Sequence, residues 1–188
     1  MGPKDAIWPG CWNARRILPG VWRASCLDEV DWSAVVEDGV RTVVDLRDHT
    51  LEVGPCRRVH APLEAGLRDD PHFRELMDST GLVSPLYYEA FCARWPERVA
   101  AAVAAVDRAD RGVVVCCHAG WDRTGMIAAI LLKRAGATER EILADYARSW
   151  DHADPDGQGD ARRAKLGDAG TTWQAALTAF LRSAGSNF

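Results

Sequence analysis

Cys117 and Arg123 are separated by five residues in the string CCHAGWDRTG (116–125), which lies between a valine run and an apolar run. A thiol and a guanidinium at that spacing can meet one oxyanion if the chain between them folds into a tight loop. Backbone N–H groups of His118, Ala119, Gly120 and Trp121 would then face a common centre. The helix expected to follow adds the positive partial charge of its N-terminus, so an anion can be held without net basic charge. A thiol at the floor of such a cradle is favoured as thiolate, its nucleophilic form. Arg123 can grip two non-bridging phosphate oxygens with its planar fork. The thiolate can attack phosphorus in line and give a cysteinyl-phosphate that water hydrolyses. The loop N–H groups and Arg123 would stabilise the charge on the equatorial oxygens. Thr124 is placed to donate its hydroxyl to the departing sulfur, and Asp122 to protonate the leaving oxygen or activate water. The GxxxxGK[ST] order of nucleotide-binding loops is absent, so a nucleoside triphosphate is not the expected ligand.

Each residue also has a plainer reading. Most free cysteines are small buried hydrophobes. That is the expectation for Cys116, whose disulfide with its neighbour Cys117 would be strained. Arg123 has no place in a buried turn unless it meets an anion. Asp122 is equally suited to capping the helix after it. Asp45 and Arg47 of VVDLR end a strand that should abut the loop, where they serve either as substrate contacts or as a structural ion pair. His118 and the two cysteines beside it cannot readily converge on one metal ion, so no metal site is expected.

The elements that must position these groups follow from hydrophobic period and punctuation. GVWRAS (20–25), RTVVDLR (41–47), RRVHAPL (57–63) and GVVVCC (112–117) read as strands, two of them with the β-branched continuity of strands buried on both faces. Helices are expected over 28–39 with Asp28 or Asp31 as cap, across HFRELMDS (72–79), and over 84–95 with Ser84 as cap and Pro85 first. Others are expected over 96–109, over 123–136 closed by Gly136, over 138–150 with a Thr138/Glu141 capping box, and over 171–184. Residues 1–12 read as an irregular arm and 151–170 as a polar loop. The segment 66–95, with Phe73, Tyr87, Tyr88, Phe91 and Trp95, reads either as ordinary core or as a lid over the anion site. Strands alternating with helices predict an α/β domain with a mainly parallel central sheet flanked by helices, its ligand beyond the carboxyl ends of the strands. The whole chain, 1–188, reads as one domain.

Composition narrows the function classes. A formal net charge of −4 argues against a nucleic-acid binder. No run approaches the roughly 20 apolar residues of a membrane span. The N-terminus has no apolar core of signal-peptide length, and six cysteines without a CxxC suit reduced thiols in the cytoplasm.

CHAGWDRTG resembles the CX5R-Thr-Gly signature of the cysteine-dependent protein tyrosine and dual-specificity phosphatases. It is similar above all to bacterial tyrosine and phosphoinositide phosphatases that carry Asp just before the Arg. GVWRAS, GVRTVVDLR, VHAPL and EREILADYARS resemble the same group in order and spacing, over roughly residues 13–150. The resemblance implies the cysteine-phosphatase fold, Cys117 as nucleophile, no cofactor, and a phosphotyrosine protein or peptide as substrate. Two positions depart from the family: Cys116 stands where a supporting His is usual, and Trp121 where many relatives carry Lys. The lost cation argues against a multiply phosphorylated lipid head group, and Trp121 is left to stack on an aromatic phosphoester. GWDRT also resembles the loop of myotubularin-type phosphoinositide phosphatases, which keeps a phosphoinositide as the alternative substrate. A catalytically weak phospho-ligand binding module is the reading from a different class. Sulfur transfer and arsenate reduction also use a cysteine loop on an α/β fold, but Arg-Thr-Gly and the loop's late position speak against them. Many relatives place the acid some thirty residues before the loop. Here that region holds Tyr87 and Glu89 and no aspartate, which leaves Asp122 as the expected proton donor.

Overall fold

The computed structural model describes residues 8–49, 54–110, 112–152 and 159–183. Residues 8–12 of the expected arm form a turn and bends, and the rest of the arm lies outside the described residues. The chain then runs β1 (Arg15–Leu18), β2 (Val21–Ala24), α1 (Trp32–Glu37), β3 (Thr42–Asp45), β4 (Arg57–His60), α2 (Pro71–Thr80), α3 (Tyr88–Arg94) and α4 (Pro96–Arg108). It continues with β5 (Val113–Cys116), α5 (Asp122–Arg134), α6 (Glu139–His152), α7 (Gly159–Asp168) and α8 (Trp173–Ser183).

The five strands form one sheet in the order β1-β2-β5-β3-β4, parallel throughout except for the antiparallel pair of β1 and β2. The α/β class with a mainly parallel sheet is therefore observed. Register aligns the carboxyl ends: Cys116 lies opposite Ala24 on one side and Asp45 on the other, and Asp45 lies opposite His60. The 117–123 loop leaves from that shared edge.

Both faces of the sheet are covered. On β5, Val113 and Val115 join the large core under α2–α6 and α8, whereas Val114 and Cys116 join a smaller core with Val35 of α1, Trp8 and Trp22. Strand alternation thus sends Cys116 to the face opposite Cys117, which belongs to the large core. Cys116 is the core residue expected, and burial, reinforced by Asp45 and Cys117, pushes its thiol well above the ordinary range.

Three expectations need correction. β1, RRIL, was not expected: its leading arginines hide it from any hydrophobic pattern. Ser84 caps no helix; α3 starts at Tyr88, and the buried Ser84 hydroxyl shares a 2.6 Å hydrogen bond with the Tyr146 hydroxyl. Part of the expected loop 151–170 is helical: α6 runs to His152, and Gly159–Asp168 forms α7. Elsewhere the punctuation acts as expected. Asp31 caps α1 by accepting from Ser33 N at 2.9 Å, and Thr138 N donates to Glu141 Oε2 at 2.8 Å in the capping box. Phe73, Tyr87, Tyr88, Phe91 and Trp95 are all buried, so 66–95 presents no exposed aromatic face for a lid. Among the described residues, no helix is long and apolar enough to cross a membrane.

Candidate active site

The loop after β5 is held from behind. The Gly120 carbonyl accepts from Asn13 Nδ2 at 2.7 Å and from Arg23 Nη2 at 2.8 Å, and the His118 carbonyl accepts from Cys26 N at 2.7 Å. Carbonyls drawn outward suit N–H groups turned inward. The first N–H groups of α5 have no acceptor within the helix and face the same end. Gly120 has φ +65°, and a Cβ there would lie 2.4 Å from the Ala24 carbonyl oxygen. Only glycine meets both conditions. Gly125 of the Arg-Thr-Gly string has a different reason: a Cβ would fall 2.7 Å from the Tyr88 hydroxyl. That hydroxyl donates to the Asp122 carbonyl at 2.8 Å and ties α3 to the first turn of α5.

Behind the loop stands a buried charge cluster. Arg15 and Arg23 are 2% and 0% exposed. Arg15 Nε meets Asp145 Oδ1 at 2.6 Å, and Arg23 pairs with the other oxygen of the same carboxylate. Burial opposes ionisation of Asp145, but the two guanidinium groups outweigh it and hold the carboxyl below its ordinary range. Asp145 of α6 thereby fixes Arg23, and Arg23 fixes Gly120.

The expected site residues divide. Cys117 is 2% exposed, at the end of β5. Arg123 and Thr124 lie in the first turn of α5. Thr124 is fully buried, and its hydroxyl has no hydrogen-bond partner among the described residues. Among the described residues, Arg123 Nη1 forms only loose ion pairs, 3.4 Å to Glu64 and 3.9 Å to Asp48. Burial alone would lower the Arg123 pKa, yet Cys117 and then Glu64 facing it raise it. His118 is exposed and Ala119 half-buried, so their contribution to the loop is through the backbone.

Three expectations change. Trp121 does not offer its ring to a ligand. It is 2% exposed, packed edge-on against Trp150 with 5.2 Å between centroids, and its Nε1 donates to Tyr146 OH at 3.2 Å. The Arg162 guanidinium covers it, 4.4 Å from the ring centroid. Asp45 is fully buried, and Arg47 and Arg58 pair with it at 3.1 and 3.3 Å. Arg47 also reaches Asp28 at 3.0 Å. Asp45 and Arg47 therefore form the structural ion pair that was the alternative to a substrate contact. Asp122 is the first residue of α5 rather than its cap, and both its oxygens accept from Arg162, at 2.6 and 3.1 Å.

Glu64 and Asp48, which pair with Arg123, and Arg162, which pairs with Asp122, were missed as neighbours of the loop. Glu64 follows β4, where His-Ala-Pro-Leu-Glu reads only as the end of a strand. Arg162 lies on α7, inside the segment expected to be a loop. Burial pushes the Glu64 carboxyl up, Arg123 opposes this, and Asp48 and Asp122 add to it. Among the described residues, no group of three His, Cys, Asp or Glu side chains is placed to hold a metal ion.

A model of the tyrosine phosphatase family matches residues 21–186, beyond the 13–150 span of resemblance and through α7 and α8. No curated protein matches the chain. Among solved structures, the chain matches a mouse protein described as a candidate dual specificity phosphatase complexed with zinc tungstate. Identity is 14% and the TM-score 0.40, over 90% of this chain and 96% of that one.

Proposed function

The chain belongs to the tyrosine phosphatase family, and on that premise we propose that it hydrolyses phosphomonoesters, phosphotyrosine in proteins or peptides first among them, through a cysteinyl-phosphate on Cys117. The observation that carries the reading is Arg123: a guanidinium 19% exposed, facing Cys117, with ion pairs loose enough to leave its fork for an oxyanion. In the first step a bond forms from Cys117 Sγ to phosphorus as the bond to the leaving oxygen breaks, and an acid supplies that oxygen with a proton. In the second, water attacks phosphorus, the thiolate departs with help from the Thr124 hydroxyl, and a carboxylate takes the proton from water. Every step is assigned to this chain's own groups, so the reading calls for no cofactor. Arg123 is the one cation in the 117–123 loop, and Arg162 is engaged by Asp122. A single phosphate fits better than a multiply phosphorylated head group. A reducing, cytoplasmic setting and one phosphatase domain over the chain are parts of the same reading, supported by six free cysteines and by the length of the family match.

We assign the proton transfers to Glu64 in place of Asp122. Both Asp122 oxygens accept from Arg162, which ties that carboxylate to α7. Glu64, with its carboxyl pushed up by burial, is the group ready to carry a proton beside Arg123. A general acid works while protonated. Activity should therefore fall as pH rises through the Glu64 pKa, which lies above the ordinary value of about 4.3. Glu64→Gln is expected to remove that limb of the kcat profile and to slow turnover about 10²- to 10⁴-fold on poor leaving groups. If Asp122→Asn removes the limb and Glu64→Gln keeps it, the proton belongs to Asp122.

The function itself is tested with purified protein in the presence of a chelator, by comparing kcat/KM on phosphotyrosine peptides and on phosphoinositides. The expected result favours the peptides. Preference for the lipids would make the chain a phosphoinositide phosphatase, and tight phosphopeptide binding without turnover would make it a binding module.

A further inference from the structure

Tyr87 is completely buried, its ring set edge-on to Tyr88 at 5.1 Å and Phe91 at 6.2 Å between centroids. Its hydroxyl nevertheless has no hydrogen-bond partner among the described residues. Buried polar groups in native proteins are nearly always paired, and those that are not call for an explanation. Tyr88, its neighbour in sequence, is paired, donating to the Asp122 carbonyl. The charges that bear on the Tyr87 phenol are, in order, Glu64, Asp122, Arg123 and Cys117. Those are the groups around the proposed phosphoryl position, and the hydrogen bond from Tyr88 to the Asp122 carbonyl sets the start of α3 against the first turn of α5, which carries Arg123.

We propose that Tyr87 is a further substrate-binding residue whose hydroxyl donates a hydrogen bond to a non-bridging phosphoryl oxygen held on Arg123. The proposal rests on the phosphatase reading and deepens it. Burial first, then the carboxylates of Glu64 and Asp122, push the phenol well above its ordinary pKa. The group therefore stays neutral and serves as a donor, the polarity an oxyanion requires, and it does not serve as a proton source. A donor on the α3 side, opposite the loop N–H groups, would let the site hold phosphate from two directions.

The test is calorimetric titration of wild type and Tyr87→Phe with inorganic tungstate, paired with steady-state kinetics on an aryl phosphate. Phenylalanine keeps the ring and its packing. The expected result is an oxyanion Kd and an aryl phosphate KM raised about tenfold, the scale of a lost hydrogen bond to a charged group. The pH limb assigned to Glu64 should not move, and the thermal midpoint should hold or rise, because no protein partner is lost. An unchanged Kd with wild type binding tungstate normally would overturn the role of Tyr87 and leave the phosphatase reading standing. A fall in thermal midpoint with unchanged Kd would make the hydroxyl structural, which also overturns it. Failure of wild type to bind any oxyanion would overturn both.

Discussion

Cys117→Ser should leave a folded protein that binds oxyanions and turns over phosphomonoesters at least about 10⁴-fold more slowly, the scale on which removal of a covalent nucleophile is felt. Serine preserves the shape at the end of β5, and Cys117 is buried among residues that do not depend on its sulfur for pairing. What is lost is the nucleophile: a serine hydroxyl attacks phosphorus far less readily than a cysteine sulfur. Binding survives because Arg123 and the loop N–H groups remain. Cys116→Ser is the control. That side chain sits on the opposite face of the sheet, in a separate core, so its replacement should disturb stability more than chemistry. Equal loss of turnover in both variants would mean that the two cysteines act as a pair.

The second large effect is expected far from the thiol. Asp145→Ala should destabilise the fold by about 3–5 kcal/mol, because it strands Arg15 and Arg23 in the interior without their shared carboxylate. For a chain of this size, that corresponds to a thermal midpoint lower by roughly 6–20 °C. Activity should fall further than stability alone accounts for. Arg23, released from Asp145, no longer has a fixed direction from which to hold the Gly120 carbonyl. The pH dependence has a definite sign. The folded-state pKa of Asp145 lies below its unfolded value, so its contribution is whole above the ordinary aspartate pKa of about 3.9 and is lost as pH falls through the lower folded value. Chemical denaturation of wild type and variant at neutral pH, repeated at acid pH, should show the gap narrowing in acid. A constant gap across pH would assign the cluster no electrostatic role.

What sequence reasoning reached and what it missed divide along physical lines. Residues whose role depends on spacing along the chain were legible. Cys117, Arg123 and Thr124 lie on one strand-loop-helix unit, and the valine alternation of β5 already separates Cys116 from Cys117. The parallel sheet followed from β-branched runs alternating with helices. Groups that reach the site from elsewhere were not legible. Glu64 arrives because β4 pairs with β3 and ends level with Asp45. Arg162 arrives on α7, whose sequence GDARRAKLGD carries two glycines and one buried leucine, too little apolar face to announce a helix. Tyr87 looks like any aromatic at helical spacing, and only its unpaired hydroxyl distinguishes it. The region some thirty residues before the loop supplies Tyr87, while the raised carboxyl beside Arg123 comes from the chain just after β4. β1 was hidden because it pairs at the sheet edge through backbone, with Arg15 serving the Asp145 cluster instead of a hydrophobic face.

The central claim is that phosphate passes through Cys117. It is tested most directly in the Thr124→Val variant, in which departure of the thiolate is slowed and the intermediate should accumulate. The variant is mixed with a phosphotyrosine peptide in the presence of a chelator, quenched in acid during turnover and mapped by mass spectrometry. The account predicts one phosphoryl group, on the sulfur of Cys117. A phosphoryl group on any other residue, or sustained turnover with Cys117 unmodified, would contradict it.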